Sequence, residues 1–257
     1  MQPNPVKQKL RSGEAAVGTM VFEFNTSGIG RIIGETGAEF VLYDMEHTGW
    51  SVETIRELMA TTRAADVVPL VRVPATEYHF FARVLDVGAM GIMVPMVETE
   101  EQAQRIADSC RYPPVGRRGA AFGVAHDDYT GGDVLAKMQQ ANENVLLIAQ
   151  IETARGLENI EQIAAVDGID VLWIGQFDLS ISMGIPGQFE HPDFQAAVDR
   201  VIDVATKNGK SAGYMALSVE EACQLHERGF RAIAYSGDLW IYQQSLKTSI
   251  EAIHSRI

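Results

Sequence analysis

The 257-residue chain has little cysteine and no long hydrophobic run. Its two cysteines, Cys110 and Cys223, show no spacing typical of a metal knuckle or a redox motif, and are most simply free thiols in a reducing compartment. No apolar stretch approaches the roughly 20 residues of a membrane span, and the polar residues 1–14 lack the apolar core of a secretory signal. The sequence therefore predicts a cytoplasmic protein that does not enter a membrane.

Positive charge is also scarce. Lysine and arginine together number 21 against 34 acidic residues, which gives a formal net charge of -13. A nucleic-acid-binding protein needs a basic face, so this balance argues against nucleic acid as a partner. An acidic protein that handles an anionic substrate needs a local positive group, such as a metal ion or a well-placed arginine.

The chain contains no low-complexity tract and no Pro/Gly/Ser-rich linker, so nothing divides it into two domains. Eight short apolar runs are spaced along it, and their nearly continuous hydrophobicity is typical of strands covered on both faces. These predicted strands lie at residues 16–24, 40–45, 67–73, 91–97, 145–152, 170–175, 211–216 and 231–237.

Amphipathic helical patterns separate the strands, as in residues 51–65, 99–110 and 218–229. This alternation predicts a parallel sheet, and eight is the number of strands that closes a (β/α)8 barrel. We therefore predict one (β/α)8 domain over residues 1–257. An open doubly wound sheet is the alternative, but no GxGxxG or P-loop opens the first βα unit. Strand four is the one strand not expected to be followed by a helix within a short loop, and residues 111–129, rich in Gly and Pro, are predicted to form a long functional loop after it.

In such a barrel the active site lies at the C-terminal ends of the strands. The second predicted strand ends in Asp44, Glu46 and His47, and the first two share a face by the strand period of two. A carboxylate that accepts a hydrogen bond from an imidazole makes a general base near neutral pH. The alternative is a buried polar group that holds the loop.

Arg72 interrupts the apolar run of the third strand, and an arginine in that position is rarely buried unless it is paired. It either pairs with Asp44 or Glu46, or holds a substrate oxygen through its planar fork, and the two roles are compatible.

Two further carboxylates follow the fifth and sixth strands. Gln150 and Glu152 share one face of strand five, and Asp178 comes shortly after strand six. Carboxylates from neighbouring strand ends suit Mg²⁺ or Mn²⁺ and leave coordination places open for water and substrate. The alternative for Asp178 is a helix N-cap.

The motifs DMEH, LVRVP, VPMVET, YPPVGRRG, QIET and IGQFDLS occur in the order found in the HpcH/HpaI class II pyruvate aldolases, and the chain resembles that family over nearly its whole length. The resemblance implies a phosphoenolpyruvate/pyruvate-type barrel that cleaves 4-hydroxy-2-oxo acids to pyruvate and an aldehyde. It also implies the reverse aldol addition through a pyruvate enolate stabilised by a divalent metal, Mg²⁺, Mn²⁺ or Co²⁺. Substrates of this type include 4-hydroxy-2-oxoheptanedioate and 2-keto-3-deoxy sugar acids, in the catabolism of aromatic compounds or sugar acids.

The same resemblance implies roles for individual residues. Glu152 and Asp178 would ligate the metal, and Gln150 would contact pyruvate. Arg72 would hold the keto oxygen and stabilise the enolate. No lysine occupies any of these motif positions, so a Schiff-base mechanism has no candidate nucleophile.

Further roles follow from the resemblance in the same way. His47, oriented by Asp44, would move protons, and the backbone N–H groups of Phe177 and Asp178 would bind the pyruvate carboxylate. Asp86 would reach toward the site of a neighbouring subunit. The resemblance also implies a homohexamer built as a trimer of dimers, in which the amphipathic C-terminal helix packs on a neighbouring subunit.

The chain departs from the family pattern at two places. Gln176 stands where the family often has Pro, and residues 126–129 place His-Asp-Asp-Tyr in the long loop. These loop residues are either solvated, or they face the acceptor aldehyde and disfavour an anionic one.

Two other functions stay open. A related barrel enzyme, either a CoA-ester lyase or a decarboxylase of oxaloacetate-like acids, is the first. The lyase would need basic residues for CoA, and the only local basic cluster is Arg111, Arg117 and Arg118. A non-catalytic binding barrel is the second.

Overall fold

A computed structural model describes all residues from 1 to 257 and shows eight parallel strands closed into one barrel. The strands are β1 (Ala16–Val21), β2 (Phe40–Asp44), β3 (Val68–Arg72), β4 (Gly91–Val94), β5 (Leu146–Ile151), β6 (Val171–Ile174), β7 (Ser211–Ala216) and β8 (Ala232–Gly237). The helices are α1 (Pro5–Arg11), α2 (Ile29–Gly34), α3 (Val52–Thr62), α4 (Tyr78–Asp86), α5 (Glu100–Cys110), α6 (Val134–Asn144), α7 (Ala154–Glu158), α8 (Ile160–Ala165), α9 (Gln176–Ser182), α10 (Pro192–Lys207), α11 (Val219–Arg228) and α12 (Asp238–His254).

Each strand pairs with the next along the chain, and β8 pairs with β1 to close the ring. The predicted (β/α)8 barrel is therefore confirmed, and the open doubly wound sheet is excluded. No helix combines the length and the apolar character required to span a bilayer.

The core has two layers. The larger one lies between the outer faces of the strands and the surrounding helices, and the smaller one fills the barrel interior. Val6 and Leu10 of α1 belong to the interior layer, so this helix plugs the barrel where the strands begin. We did not predict α1 from the polar N-terminal sequence. Because the plug closes one end, the interior opens to solvent at the C-terminal ends of the strands.

The segment 111–129 does not follow the fourth strand directly, and that prediction was wrong. The Thr99 side chain caps a helix soon after β4, so α5 carries the chain back to the end of the barrel where strands begin. The segment starts there. Arg111 pairs with Asp167, which precedes β6, at 3.0 Å.

The residues at 126–129 are held by internal contacts at that same end. The buried Asp127 carboxylate accepts hydrogen bonds from the Gly123 N–H at 2.8 Å and from the Lys137 ammonium at 2.6 Å. Asp128 pairs with Arg63 at the end of α3, at 2.7 Å. Within one subunit this loop therefore lies opposite the C-terminal ends of the strands. His126 and Asp127 are buried, while Tyr129 is solvated, as one of the two predictions had it.

Candidate active site

A cavity of about 200 Å³ opens at the C-terminal ends of the strands. It contains most of the side chains that the sequence analysis proposed for chemistry. Its lining is Met20, Phe22, His47, Arg72, Met93, Gln150, Trp173, Ile174, Gly175, Gln176, Phe177, Asp178, Met215 and Trp240.

An ion pair between the ends of β2 and β3 fixes the arginine of this cavity. Asp44 and Arg72 are paired in the strand register, so their side chains share a face. The fully buried Asp44 carboxylate accepts a hydrogen bond from Arg72 Nε at 2.6 Å, and Arg72 Nη1 lies 3.2 Å from Glu46 Oε2. Two carboxylates therefore hold the guanidinium in one orientation, which satisfies the structural role predicted for Arg72 and leaves it lining the cavity.

Contrary to the prediction from the sequence, Asp44 does not orient the His47 imidazole. Besides Arg72, its carboxylate accepts the backbone N–H groups of Glu46 at 3.1 Å and His47 at 2.9 Å. These contacts occupy the carboxylate and shape the turn after β2. The imidazole instead lies near Glu46, with 3.7 Å between Nε2 and Oε2, and its side chain is 57% exposed.

Glu46, to which we assigned no chemical role from the sequence, thus contacts both the arginine and the histidine of the site. Burial raises the pKa of its carboxyl, while Arg72 and His47 oppose that rise. The alternation in the DMEH motif already placed Glu46 on the same face as Asp44, and this was the one sequence feature that pointed to it.

Glu152 is the most buried acid in the cavity region after Asp44, with 2% of its surface exposed. Its Oε1 accepts a hydrogen bond from the Met96 N–H at 2.6 Å, and Met96 adopts a left-handed φ of 53°. Burial raises the pKa of Glu152 to about 8, and the charges of Glu46 and Asp178 act in the same direction. The sequence has therefore assembled acids here without matching positive charge.

A glycine makes this arrangement sterically feasible. A Cβ on Gly175 would lie 2.2 Å from Glu152 Oε2 and 2.8 Å from Gln150 Nε2, which is far inside normal contact distance. The end of β6 can therefore approach the two β5 side chains only because residue 175 has no side chain.

Asp178 is not the N-cap of its helix. Gly175 occupies the cap position of α9 and makes no side-chain cap hydrogen bond, while Asp178 lies within the first turn. The cap interpretation is therefore excluded, and its carboxylate lies close enough to Glu152 to raise the pKa of that carboxyl.

The oxygen atoms of Glu152, Asp178 and Gln150 are the candidate ligands for the divalent metal predicted from the sequence. No group of three or more His, Cys, Asp or Glu side chains is close enough to hold an ion unaided. Glu152 and Asp178 nevertheless supply hard carboxylate oxygen donors near each other, and the buried Gln150 Oε1 has no hydrogen-bond partner. Such a set fits Mg²⁺ or Mn²⁺, which keep several places for water and substrate.

The first turn of α9 adds two more predicted residues. Phe177 is 51% exposed and packs edge-on against Phe189, with 5.1 Å between the ring centroids. The N–H groups of Phe177 and Asp178 belong to the helix start, where they lack intrahelical acceptors. Gln176 is buried and donates from Nε2 to the Met215 carbonyl at 3.2 Å, so it ties α9 to β7.

Asp86 lies apart from this cavity within the subunit. It ends α4 and pairs with Arg118 at 2.6 Å, at the end of the barrel where the strands begin. Its reach into a neighbouring subunit stays a prediction.

Known proteins resemble this chain both in sequence and in fold. The sequence pattern of the HpcH/HpaI aldolase/citrate lyase family matches residues 22–243. The chain belongs to that family. Its relatives include a hydroxypyruvate/pyruvate aldolase of Roseobacter denitrificans, 36% identical over 92% of this chain and 91% of the relative. A 5-keto-4-deoxy-D-glucarate aldolase of Shigella boydii is 32% identical over 95% of this chain and 93% of the relative.

A solved structure from the same family has the same fold. The HpcH/HpaI aldolase from Desulfitobacterium hafniense superposes with a TM-score of 0.92 at 31% identity, covering 96% of this chain and 95% of that one. The named relatives are aldolases, so this HpcH/HpaI member belongs among enzymes that cleave carbon–carbon bonds.

The raised pKa of Glu152 predicts an unusual pH dependence of stability in the metal-free protein. The Glu152 carboxyl has a pKa of about 8 in the folded protein, but in the unfolded chain it loses its proton near the ordinary glutamate pKa of 4.5. The unfolded state therefore binds fewer protons between these values, and stability falls as pH rises through this window. The loss of stability attributable to Glu152 across this window is on the order of 5 kcal/mol, at about 1.4 kcal/mol per pH unit.

Glu152→Gln removes this titration, so in EDTA it should match the wild type near pH 5 and be more stable near pH 8. Urea unfolding at both pH values measures the difference. Exposed Glu158→Gln is the matched control and should follow the wild type. Parallel pH curves for the wild type and Glu152→Gln would contradict the buried, protonated carboxyl.

Proposed function

We propose that this HpcH/HpaI member is a divalent-metal-dependent aldolase that cleaves 4-hydroxy-2-oxo acids to pyruvate and an aldehyde, and catalyses the reverse addition. The observation that carries the proposal is that buried Glu152 lies near Asp178, beside a cavity lined by Asp178 and by the Arg72 guanidinium that Asp44 holds in place. The names of the pyruvate and sugar-acid aldolases among its relatives support the same chemistry.

Glu152 and Asp178 would hold the metal, with the Gln150 amide oxygen free to contact it or pyruvate. A bound Mg²⁺, Mn²⁺ or Co²⁺ supplies Lewis-acid polarisation of the keto oxygen of pyruvate. The N–H groups of Phe177 and Asp178 would receive the pyruvate carboxylate, which places the keto group between the acids and Arg72.

Arg72 stabilises the negative charge that forms on the keto oxygen when the C3–C4 bond breaks. Asp44 and Glu46 hold the guanidinium before substrate arrives, so little reorganisation is needed during the reaction. This is the physical reason for placing two carboxylates behind one arginine in an active site that binds anions.

His47 is suited to move the proton. In the cleavage direction its imidazole takes the proton of the C4 hydroxyl, the C3–C4 bond breaks and the aldehyde leaves. The imidazolium then returns that proton to C3 of the enolate, which gives pyruvate and regenerates the neutral imidazole. Glu46 lies 3.7 Å from Nε2 and stabilises the imidazolium that forms. Glu46 thereby takes the role that the sequence analysis gave to Asp44, which instead positions Arg72 and the turn.

The CoA-ester lyase alternative loses its main support. Arg111 and Arg118, which formed the candidate CoA cluster with Arg117, are buried and paired with Asp167 and Asp86. These pairs lie at the end of the barrel opposite the cavity, so they do not offer a CoA site beside the reacting groups.

The assembly of the protein belongs to the same proposal. Helix α12 buries none of its residues, and beyond Trp240, which lines the cavity, it carries a row of exposed apolar side chains: Ile241, Tyr242, Leu246, Ile250 and Ile253. Beside its start, an apolar groove of about 670 Å³ runs between β1 and α2. A monomer rarely leaves such a surface in water. We propose that α12 of a second copy packs against this helix and groove, within a homo-oligomer such as a trimer of dimers.

Leu246→Glu tests this assembly, because a carboxylate in a buried apolar contact is strongly unfavourable. We expect the variant to dissociate to smaller species in sedimentation velocity at micromolar concentration. Gln244→Glu adds the same charge at an exposed position and should leave the assembly intact. A monomeric wild type, or a variant with unchanged mass, would contradict the shared helix.

Metal dependence tests the catalytic proposal directly. The exchange of pyruvate C3 protons into D₂O, followed by NMR, reports enolate formation without needing the right aldehyde. Exchange should stop in EDTA and return with Mn²⁺. Glu152→Gln and Asp178→Asn should each lose about 100-fold or more, and Arg72→Lys should lose at least about 10-fold through its missing fork.

Exposed Glu158→Gln serves as the control and should exchange at the wild-type rate. Borohydride added with pyruvate should not trap the protein, since no lysine lines the cavity. Metal-free protein that exchanges as fast as the loaded protein would refute the proposal.

A further inference from the structure

The cavity is divided into a polar half and an apolar half. The polar side chains described above come from β2, β3, β5 and β6. The remaining part of the barrel mouth, formed by β7, the start of α12 and the end of β1, contributes Met215, Trp240 and Phe22. The proposed pyruvate site occupies the polar half, so the apolar half is left for the other reactant.

Phe22 and Trp240 form a wall on the apolar side. Their ring centroids are 5.0 Å apart, with the planes tilted by 59°. A Cβ on Gly237 would lie 2.8 Å from atoms of both rings, so both pack over this glycine. We call these two side chains the aromatic wall.

The backbone holds the aromatic wall in place. The Asp238 carboxylate accepts hydrogen bonds from the N–H groups of Phe22 at 2.9 Å, Glu23 at 3.0 Å and Phe24 at 2.7 Å. These bonds tie the segment after β1 to the first turn of α12, where Trp240 lies. Because the Asp238 carboxylate is engaged in this way, the wall presents ring surface to the cavity.

The aromatic wall lies next to the place where the new bond would form. The Arg72 guanidinium carbon is 5.8 Å from the centroid of Phe22, so the ring borders the group that would hold the enolate oxygen. An aldehyde that approaches C3 of the enolate from this side brings its substituent against Phe22 and Trp240.

We propose that the aromatic wall binds the substituent of the acceptor aldehyde and selects apolar or aromatic aldehydes over those that carry a carboxylate. This inference rests on the proposed aldolase function and specifies its acceptor. In the reaction, enolate C3 bonds to the aldehyde carbon, and the aldehyde oxygen becomes a hydroxyl by taking one proton. The substituent does not react. Burying apolar surface on the rings favours an apolar substituent, and the two rings offer no cationic partner to a carboxylate.

A matched pair of aldehydes tests the proposal. Butanal and succinic semialdehyde have the same chain length, and the second ends in a carboxylate. With Mn²⁺ and saturating pyruvate, kcat/KM for aldol addition should favour butanal by at least about 10-fold, and benzaldehyde should also be accepted. A ratio near one, or a preference for succinic semialdehyde, would overturn the inference.

Substitutions of Trp240 test whether this side chain determines the preference between the two aldehydes. Trp240→Ala should reduce the butanal preference by about 10-fold, and Trp240→Phe should retain most of it. Trp240→Arg should shift the preference toward succinic semialdehyde by supplying a cation. Leu135→Ala, which truncates an exposed apolar side chain on α6, should keep the wild-type ratio. If Trp240→Ala and Trp240→Arg fold and keep the wild-type ratio of kcat/KM for butanal over succinic semialdehyde, the role of the wall is overturned. If either variant fails to fold, the ratio measured for the wild type decides.

The donor half of the reaction separates this inference from the proposed function. Pyruvate C3 exchange in D₂O needs no aldehyde. Exchange without a preference for butanal would overturn the aromatic wall alone. Absence of both exchange and addition with Mn²⁺ would overturn the aldolase proposal, and the acceptor inference with it.

Discussion

The excess of negative charge around Glu152 is the constraint on which the proposed chemistry depends. Burial and the neighbouring acids Glu46 and Asp178 raise the pKa of the Glu152 carboxyl to about 8. Without a bound cation this arrangement weakens the fold at neutral pH, because the unfolded chain ionises freely. In the proposed function a divalent metal would offset that penalty, which would couple metal binding to the stability of the site. The protein is acidic overall, and the positive charge needed to stabilise an enolate has to be localised at this cavity.

Arg72 supplies the permanent part of that charge, and its surroundings explain why it stays in one orientation. Asp44 is fully buried and binds Arg72 together with two backbone N–H groups of the following turn. One side chain therefore fixes both the arginine and the segment that carries His47. A fixed donor stabilises developing charge better than a mobile one, because it needs no reorganisation as the reaction proceeds. The division of the cavity into polar and apolar halves follows from the same barrel geometry, in which each strand end contributes its own side chain.

Much of this architecture could be predicted from the sequence. Strands covered on both faces leave nearly continuous apolar runs, so all eight were recognisable, and polar residues at their ends marked Arg72, Glu152 and Asp178. Helix α1 was missed because its few apolar residues are set among polar ones. The segment 111–129 was misplaced although the helical pattern at residues 99–110 was recognised, because that helix returns the chain to the end of the barrel where the strands begin. The partner of His47 was mistaken because Asp44 had competing donors, the guanidinium and two backbone N–H groups, that only the folded turn brings together.

The most direct test of the account is the position of the metal itself. Crystals grown with Mn²⁺ and pyruvate should show an anomalous manganese peak about 2.0–2.3 Å from carboxylate oxygens of both Glu152 and Asp178, with the pyruvate keto oxygen between the metal and Arg72. A fully occupied manganese site elsewhere, or pyruvate bound in the cavity with these two carboxylates turned away from any metal, would contradict it.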